Sequence, residues 1–462
     1  MLLYNSMTNK KEEFLPNGDT VKIYACGPTV YDYFHIGNGR AFLLFDTLRR
    51  YLEFKGYRVQ YVQNFTDVDD KMINRANKEG ITIGQLAERF IAEYYHDADG
   101  LNIKRATYNP KATENIEAII AMISTLIEKG HAYESDGSVY FRVRSFREYG
   151  KLFKQSIEDL EAGARVNIDE KKEDKLDFAL WKKAKPGEPF WNSPWGEGRP
   201  GWHIECSVMA KRYLGDTIDI HCGGNDLKFP HHENEIAQSE CANGCTFARF
   251  WFHVGFVNIN NEKMSKSKNN FFTVRDLSGV YGYEPLRYFA ISAHYRNPIN
   301  YEPDIIEQAK ASLERLYNCA DNLDHLAKNA AGQNTGVETL QEFEKYKDLF
   351  TAAMDDDLNT ANALSVLFDF AKEINITVTE AAYSKEFYLT LKEKFISLCQ
   401  VLGLLYNQGN ANLDQEVEEL IAQRQTARKA KDFKKADEIR DRLKEMGIVL
   451  EDTANGVKWK KA

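Results

Sequence analysis

Two short runs, far apart in the chain, carry side chains suited to handling a polyphosphate. The first is His35-Ile36-Gly37-Asn38, inside the stretch Ala25 to Arg40. Before it, Thr20-Val21-Lys22-Ile23-Tyr24 is β-branched and aromatic, which predicts a short buried strand. After it, Phe42, Phe45, Leu48 and Leu52 recur at helical spacing. His35 to Gly39 therefore sits where a strand hands over to a helix. A helix start presents unpaired N–H groups and the positive end of the helix dipole, which suits phosphate. Gly37 and Gly39 let the backbone approach a ligand closely, and His35 can donate a hydrogen bond to it. A histidine and two glycines also serve purely structural turns, so this run alone leaves both readings open. The second run is Lys263-Met264-Ser265-Lys266-Ser267, in the polar stretch Asn258 to Asn270. Its ammonium groups could meet charge building on a departing phosphate; a plain surface lysine loop is the alternative. His231 and Glu235 are four apart and share one helical face, a spacing that is common without a ligand.

These runs need elements to hold them. From residue 21 to about 108 the pattern alternates strand and helix, with Arg58 to Asn64 as a second core strand and helices near 69–79 and 82–101. Such alternation predicts a parallel sheet covered by helices, with ligands at the carboxyl ends of its strands. Asp67, Asp69 and Asp70 fit a helix start stabilised by carboxylates better than a magnesium site. Residues 109–200 break the rhythm: a helix near 114–129 ends at Gly130, and two short strands flank an Asp136-Gly137 turn. Trp181, Trp191, Trp195 and Trp202 fall among Pro186, Pro189, Pro194 and Pro200, and this segment reads as a structural loop packed by aromatics. Asp216 to Gly224 reads as a buried strand, His232 to Cys241 as helix, and Arg249 to Val257 as a further strand. Beyond about residue 305 the pattern is helical, with polar breaks at Ala330 to Val337 and Asn407 to Asn412. The run Met354 to Thr360, with its acidic triplet, reads as the capped opening of a bundle helix.

The composition excludes several classes. A hydrophobic content of 43% is that of a chain with a full core, and no apolar run approaches a membrane span. No basic-then-apolar leader opens the sequence, so a cytoplasmic location is expected. The net charge of −9 argues against a generally sticky nucleic-acid binder, not against RNA on a local basic patch. Such a patch lies between Arg424 and Lys444, which together with a strand-like Ile448 to Lys461 could track RNA; a solvated charged helix pair is the equal alternative. Seven scattered cysteines do not form a disulfide framework. Cys241 and Cys245 have no second pair nearby and read as plain thiols, while Cys222, Cys319 and Cys399 read as core.

Taken together, the His-Ile-Gly-Asn and Lys-Met-Ser-Lys-Ser runs resemble the two signatures of class I aminoacyl-tRNA synthetases. Cys26-Gly27-Pro28-Thr29-Val30-Tyr31-Asp32 and His231-His232-Glu233-Asn234-Glu235 resemble the cysteinyl members of that class. One departure is Asn38 in place of a second histidine; an amide can still donate to phosphate or ribose oxygens. The resemblance spans the chain. It implies an α/β fold, a Rossmann-like parallel-sheet catalytic core with a connective insertion, then an all-α bundle and a small C-terminal α+β domain. The implied division is 1–108 for the first half of the catalytic domain, 109–200 for the insertion and 201–257 for the second half. A stem-contact region at 258–310, a helical anticodon-side bundle at 311–406 and a basic anticodon-binding domain at 407–462 follow.

The activity implied is formation of cysteinyl-adenylate from cysteine and ATP–Mg²⁺, then transfer to the 3′ end of tRNA(Cys), with one zinc per chain; the residues do not give the oligomeric state, for which a monomer is the expectation. By the same resemblance His35, Asn38, Lys263 and Lys266 are catalytic, and Gly37 joins them at ATP. Cys26, Gly27, Thr66 and Trp202 would line the cysteine, and Cys26, Cys206, His231 and Glu235 would hold the zinc. Arg424, Arg428, Lys429, Lys434, Lys435 and Trp459 are the candidate tRNA contacts. A mycothiol-type cysteine ligase would use the same adenylate on an amino sugar but has no anticodon to grip. A cytidylyltransferase-like enzyme would need neither zinc set nor anticodon region, and a non-catalytic tRNA-binding relative would not need the lysine run. A chain stopped near Tyr406 is expected still to activate cysteine and to charge tRNA poorly. Unchanged charging by that truncated chain would leave the tail as a solvated helix pair.

Overall fold

The computed structural model describes residues 1–159, 171–264, 270–407, 411–430, 432–453 and 456–461. They divide into two units, one of Met1–Lys310 with Thr351–Ala363, the other of Ala311–Phe350 with Leu364–Ala462. The first unit opens on a hairpin, β1 (Leu2–Asn5) and β2 (Lys10–Glu13). Next come β3 (Thr20–Ala25), α1 (Ile36–Phe54), β4 (Arg58–Gln63), α2 (Asp70–Glu79), α3 (Ile83–Gly100) and α4 (Ile116–Glu128). A second run holds β5 (Ala132–Ser135), β6 (Ser138–Phe141), β7 (Phe178–Lys183), β8 (Trp191–Ser193) and β9 (Gly196–Pro200). The core resumes with α5 (Trp202–Leu214), β10 (Ile218–Gly224), α6 (His231–Asn243) and β11 (Ala248–Val254).

The central sheet has the order β11-β10-β3-β4, with every pair parallel. β10 is buried on both faces from Ile218 to Cys222, polar Asp219 and His221 included, and β3 is buried at Val21 and from Ile23 to Ala25. Tyr24, Cys206, Met209, Ile218, Ile236 and Trp251 share one core between sheet and helices. At the start of α2, Asp69 accepts from the Met72 N–H at 2.7 Å, so this acidic run is a helix cap.

Two expectations change. The tryptophan–proline segment read as a loop is β7 to β9, part of an antiparallel sheet of order β5-β6-β7-β9-β8. Proline and glycine hide its strand pattern, yet both have work there. A Cβ on Gly198 would lie 2.2 Å from Nε1 of the fully buried Trp181, and Pro200 pairs with Trp181 at the strand end. The acidic triplet also does not cap a helix. Asp357, at φ 63°, accepts from the Tyr4 N–H at 2.8 Å, the Tyr295 hydroxyl at 2.7 Å and Arg296 at 2.8 Å. Asp355 takes Lys55 and the Tyr51 hydroxyl, and Asp356 takes Lys11. It is Asn359 that caps the following helix, accepting from the Asn362 N–H.

Past the core sheet, β12 (Val257–Ile259) pairs antiparallel with β13 (Glu262–Lys263) and parallel with β14 (Ile299–Tyr301), with α7 (Val274–Tyr281) and α8 (Tyr283–Ile291) between. The second unit takes α9 (Pro303–Lys328) from Ala311 on, then α10 (Val337–Glu342), α11 (Glu344–Asp355) up to Phe350, α12 (Thr360–Glu380) from Leu364 on and α13 (Lys385–Val401). Its aromatic core stacks Tyr346 on Phe370, with Phe395 edge-on to Phe370. The chain ends in α14 (Ala411–Lys429), α15 (Phe433–Glu445) and the hairpin β15 (Ile448–Thr453) and β16 (Gly456–Lys461), around Val417, Leu420, Ile439, Leu443 and Ile448. No described helix is long and apolar enough to cross a membrane.

A buried ion pair fixes α1 against α8. Asp46 and Arg287 are 0–2% exposed at 2.6 Å, and Arg50 adds a second contact at 2.7 Å. Burial pushes the Asp46 carboxyl up, but the Arg287 and Arg50 guanidiniums outweigh it and hold it below its ordinary value. Its stabilisation is thus complete above the unfolded carboxyl's pKa and is lost as pH falls through the lower folded value. Asp46→Asn should cost about 3–5 kcal/mol at neutral pH, since it strands a buried guanidinium. The gap to wild type should narrow below about pH 4, read by urea unfolding across pH. A loss under about 1 kcal/mol at neutral pH would contradict this account.

Candidate active site and metal centre

α1 begins at the first signature. His35 is its N-cap, with extended backbone, and its Nδ1 accepts from the Asn38 N–H at 3.2 Å. That bond places the ring proton on Nε2. The first turn carries no acidic residue, so its N–H groups face no carboxylate competitor there. Gly37 and Gly39 are needed for close contact. A Cβ at Gly37 would lie 2.9 Å from the His35 ring and 3.4 Å from the Met264 side chain; one at Gly39 would lie 2.8 Å from Val274.

Met264 belongs to the lysine run, so the two signatures meet at Gly37. The segment after that run is seated on the same turn. Ile36 N–H donates to Phe272 O at 3.1 Å, and Val274 N–H to Phe34 O at 3.0 Å. Lys266 and the Lys263 side chain lie outside the described residues.

The second cluster lies where β3 ends. Cys26 follows β3, Cys206 is on α5, and His231 and Glu235 stand on one face of α6. Their ligand atoms all lie within 4.8 Å of one another, and all four residues are buried. The two Sγ atoms are 4.0 Å apart, Cys26 Sγ is 3.6 Å from Glu235 Oε1, and His231 Nε2 is 3.0 Å from the same oxygen. Two thiolates on a tetrahedral zinc stand about 3.8 Å apart, so the set fits that ion.

Its protonation state points the same way. A hydrogen bond from the Cys26 thiol, with help from His231, brings the Cys206 thiol down to about 6 against burial. Burial holds the Cys26 thiol up. Burial opposes charge on His231, yet Glu235 and Cys206 raise it to about 10; burial likewise opposes charge on Glu235, yet His221 and His231 lower it to about 2. A divalent cation would take the place of the protons on Cys26 and His231. Cys26, His221, His232 and Glu235 also cluster within 4.8 Å, but that set shares two donors with the first and offers one sulfur instead of two.

Sequence reasoning missed the histidines behind this cluster. His221 Nε2 is 2.8 Å from Glu235 Oε2, His203 Nδ1 is 2.9 Å from His231 Nδ1, and His232 Nδ1 is 2.8 Å from His253 Nε2. Their signal was the doublet His231-His232 and a polar residue on each of two buried strands. Glu233 in the same run is structural, accepting from the backbone of Gly150, Leu152 and Phe153.

Four expected substrate contacts come together around the metal donors. Gly27 N–H donates to Asn64 Oδ1 at 2.9 Å, and a Cβ at Gly27 would lie 1.7 Å from Asn64 O. The Thr66 hydroxyl donates to Glu205 Oε2 at 2.9 Å, and Trp202 stacks on His231 at 4.3 Å while remaining 43% exposed. Glu205 is fully buried, and burial, then Cys206, raises its carboxyl well above the ordinary range.

The C-terminal candidates divide. Arg428, Lys434 and Lys435 are exposed, whereas Arg424 is only 9% exposed and packs inward, so it cannot offer an open cationic surface. An arginine stem on the apolar side of α14 covers core, a burial that charge counting does not reveal. The side chains of Lys429 and Trp459 lie outside the described residues.

Residues 14–311 match the family described as tRNA synthetases class I (C) catalytic domain, 349–406 the DALR domain and 410–459 the Cysteinyl-tRNA ligase anticodon binding domain. A cysteine–tRNA ligase of Caldicellulosiruptor saccharolyticus is 59% identical over 99% of each chain. In fold the chain is similar to a Mycobacterium tuberculosis methionyl-tRNA synthetase solved with methionyl-adenylate, at TM-score 0.62 and 17% identity over 83% of this chain and 90% of that one. It is also similar to an Agrobacterium radiobacter LeuRS solved with tRNA and LeuAMS, at TM-score 0.61 and 11% identity over 84% of each. Catalytic and anticodon-binding segments together, with near-full-length identity, place this chain in the cysteine–tRNA ligase family of class I aminoacyl-tRNA synthetases.

Proposed function

We propose that the protein joins cysteine to ATP–Mg²⁺ as cysteinyl-adenylate and passes the cysteinyl group to the 3′ end of tRNA(Cys), in the cytoplasm. The observation that carries this reading is the donor set Cys26, Cys206, His231 and Glu235 beside the Gly27–Thr66 strand ends, in the same unit as the His35 turn. In the first step the cysteine carboxylate attacks the α-phosphorus of ATP and pyrophosphate leaves. The protein's task is alignment and neutralisation of phosphate charge. His35 Nε2–H, the Asn38 side-chain amide and the Gly37 N–H at the start of α1 act on the phosphate side. Gly37 lets that backbone come close. Lys263 and Lys266 act where charge grows on the departing pyrophosphate.

Thr66 and Trp202 flank the amino acid. The Thr66 hydroxyl donates to Glu205 and accepts from the Asn64 side-chain amide at 3.4 Å, which fixes its orientation beside the proposed amino-acid position. Zinc, when bound by the four donors, supplies a soft Lewis-acid position that prefers a thiolate to an alcohol. An apolar pocket could not separate serine from cysteine well, so this chain's donor set is the specificity device and no editing site is needed. The domain matched at 410–459, with Arg428, Lys429, Lys434, Lys435 and Trp459, takes the anticodon.

Lys266→Ala should slow cysteine-dependent pyrophosphate exchange by about 10²–10³-fold, the scale of one lost transition-state donor, with zinc content unchanged. Normal exchange with impaired tRNA binding would give Lys266 another role. The metal reading is checked separately. The protein should carry one zinc per chain and activate serine negligibly, and Cys206→Ser should weaken metal and cysteine binding together. Full cysteine selectivity in a metal-free preparation would refute it.

A further inference from the structure

Arg40 is fully buried on α1, little more than a turn beyond the His35 cap. Its Nη1 donates to Gly255 O at 2.9 Å and Phe256 O at 3.1 Å, and its Nη2 to His294 O at 3.3 Å. Among the described residues its Nε has no partner. Burial is the one influence that moves its pKa, down to about 9, so the group stays charged at neutral pH with no carboxylate opposing it. A guanidinium placed this way is costly, and a neutral residue would serve if only space were to be filled.

What it holds is specific. Gly255 and Phe256 join β11 to β12, and β12 pairs with the strand carrying Lys263 through Asn258↔Lys263. Gly255 is pressed so close that a Cβ would sit 2.6 Å from Asn297 O. On the far side of the lysine run, backbone bonds tie Phe272 and Val274 to Ile36 and Phe34. The helix that presents His35 and Asn38 therefore grips the lysine-bearing segment twice, at its exit through backbone and at its entry through one side chain.

We propose that Arg40 is a positioning residue for adenylate formation, holding the β12–β13 entry in fixed register with the His35–Asn38 turn. The inference rests on the reaction proposed above. A planar fork can span carbonyls on two separate segments at once; a lysine ammonium is a point charge on a flexible stem and cannot hold both in one geometry. Misplacement of about 1 Å in a site of this kind costs roughly 10²-fold in rate.

The test compares Arg40→Lys and Arg40→Met with wild type in the full chain. Both should lower kcat for cysteine-dependent pyrophosphate exchange by about 10²-fold. Cysteine affinity by equilibrium dialysis and zinc content should stay within about twofold, since Arg40 touches no group of the cysteine pocket. Amide hydrogen exchange should quicken over residues 255–259 and not over α6. Should Arg40→Met fail to fold, Arg40→Lys keeps the charge and carries the comparison. Exchange within about threefold of wild type in a folded variant would overturn the proposal. So would a loss of cysteine affinity in step with kcat, which marks a general structural role. Absence of exchange in wild type would instead refute the proposed reaction.

Discussion

The donor cluster depends on the exits of β3 and β4 pressing together at Gly27 and Asn64. No Cβ fits at residue 27, and its N–H is taken by the Asn64 side chain. The contact continues as Thr66 N–H donates to Pro28 O and Val30 N–H to Thr66 O. Strand ends held this tightly leave Cys26 facing Cys206 on α5 and Glu235 on α6. A side chain at residue 27 would part the strands and move Cys26 and Thr66 in opposite directions. The four donors and the proposed substrate contacts would then lose their common origin.

Around that point the protein concentrates charge in a dry interior. Glu235 is fully buried, and imidazoles meet both of its oxygens, His221 on one and His231 on the other. Interactions between such groups are strong because water does not screen them, and the same dryness makes each unpaired member expensive. A cation seated among two sulfurs, a nitrogen and a carboxylate relieves the crowding that the donors impose on each other. Under the proposed function, selectivity for sulfur over oxygen would follow from that donor set.

The turn proposed to meet phosphate is built differently, at the start of a helix whose first turn carries no acidic residue. The body of α1 is fastened through two buried cations, one on the helix and one received by it. Asp46 receives Arg287, while Arg40 reaches out to Gly255, Phe256 and His294. The helix is consequently a rigid frame for the turn at its tip.

Local order was legible from the residues in this chain. The strand before His35, the helix after it, the Asp69 cap and the shared face of His231 and Glu235 depend on side-chain period and capping, which neighbours in sequence decide. The signature runs were equally readable, because their chemistry lies in consecutive residues. What the sequence could not reveal was every feature that long-range packing settles. β7 to β9 hid behind prolines and glycines whose strand role appears only when Trp181 fills the space beside Gly198. The acidic triplet looked like a helix cap until Tyr4, Tyr295 and Arg296 claimed Asp357. Arg424 looked like a surface cation until the C-terminal cluster buried it. Cys206, His221 and His253 have no sequence spacing to Glu235 that marks them as its neighbours. Only the closing of a parallel sheet under α5 and α6 puts these groups within reach of one another, because contact there is set by strand order and helix packing and not by distance along the chain.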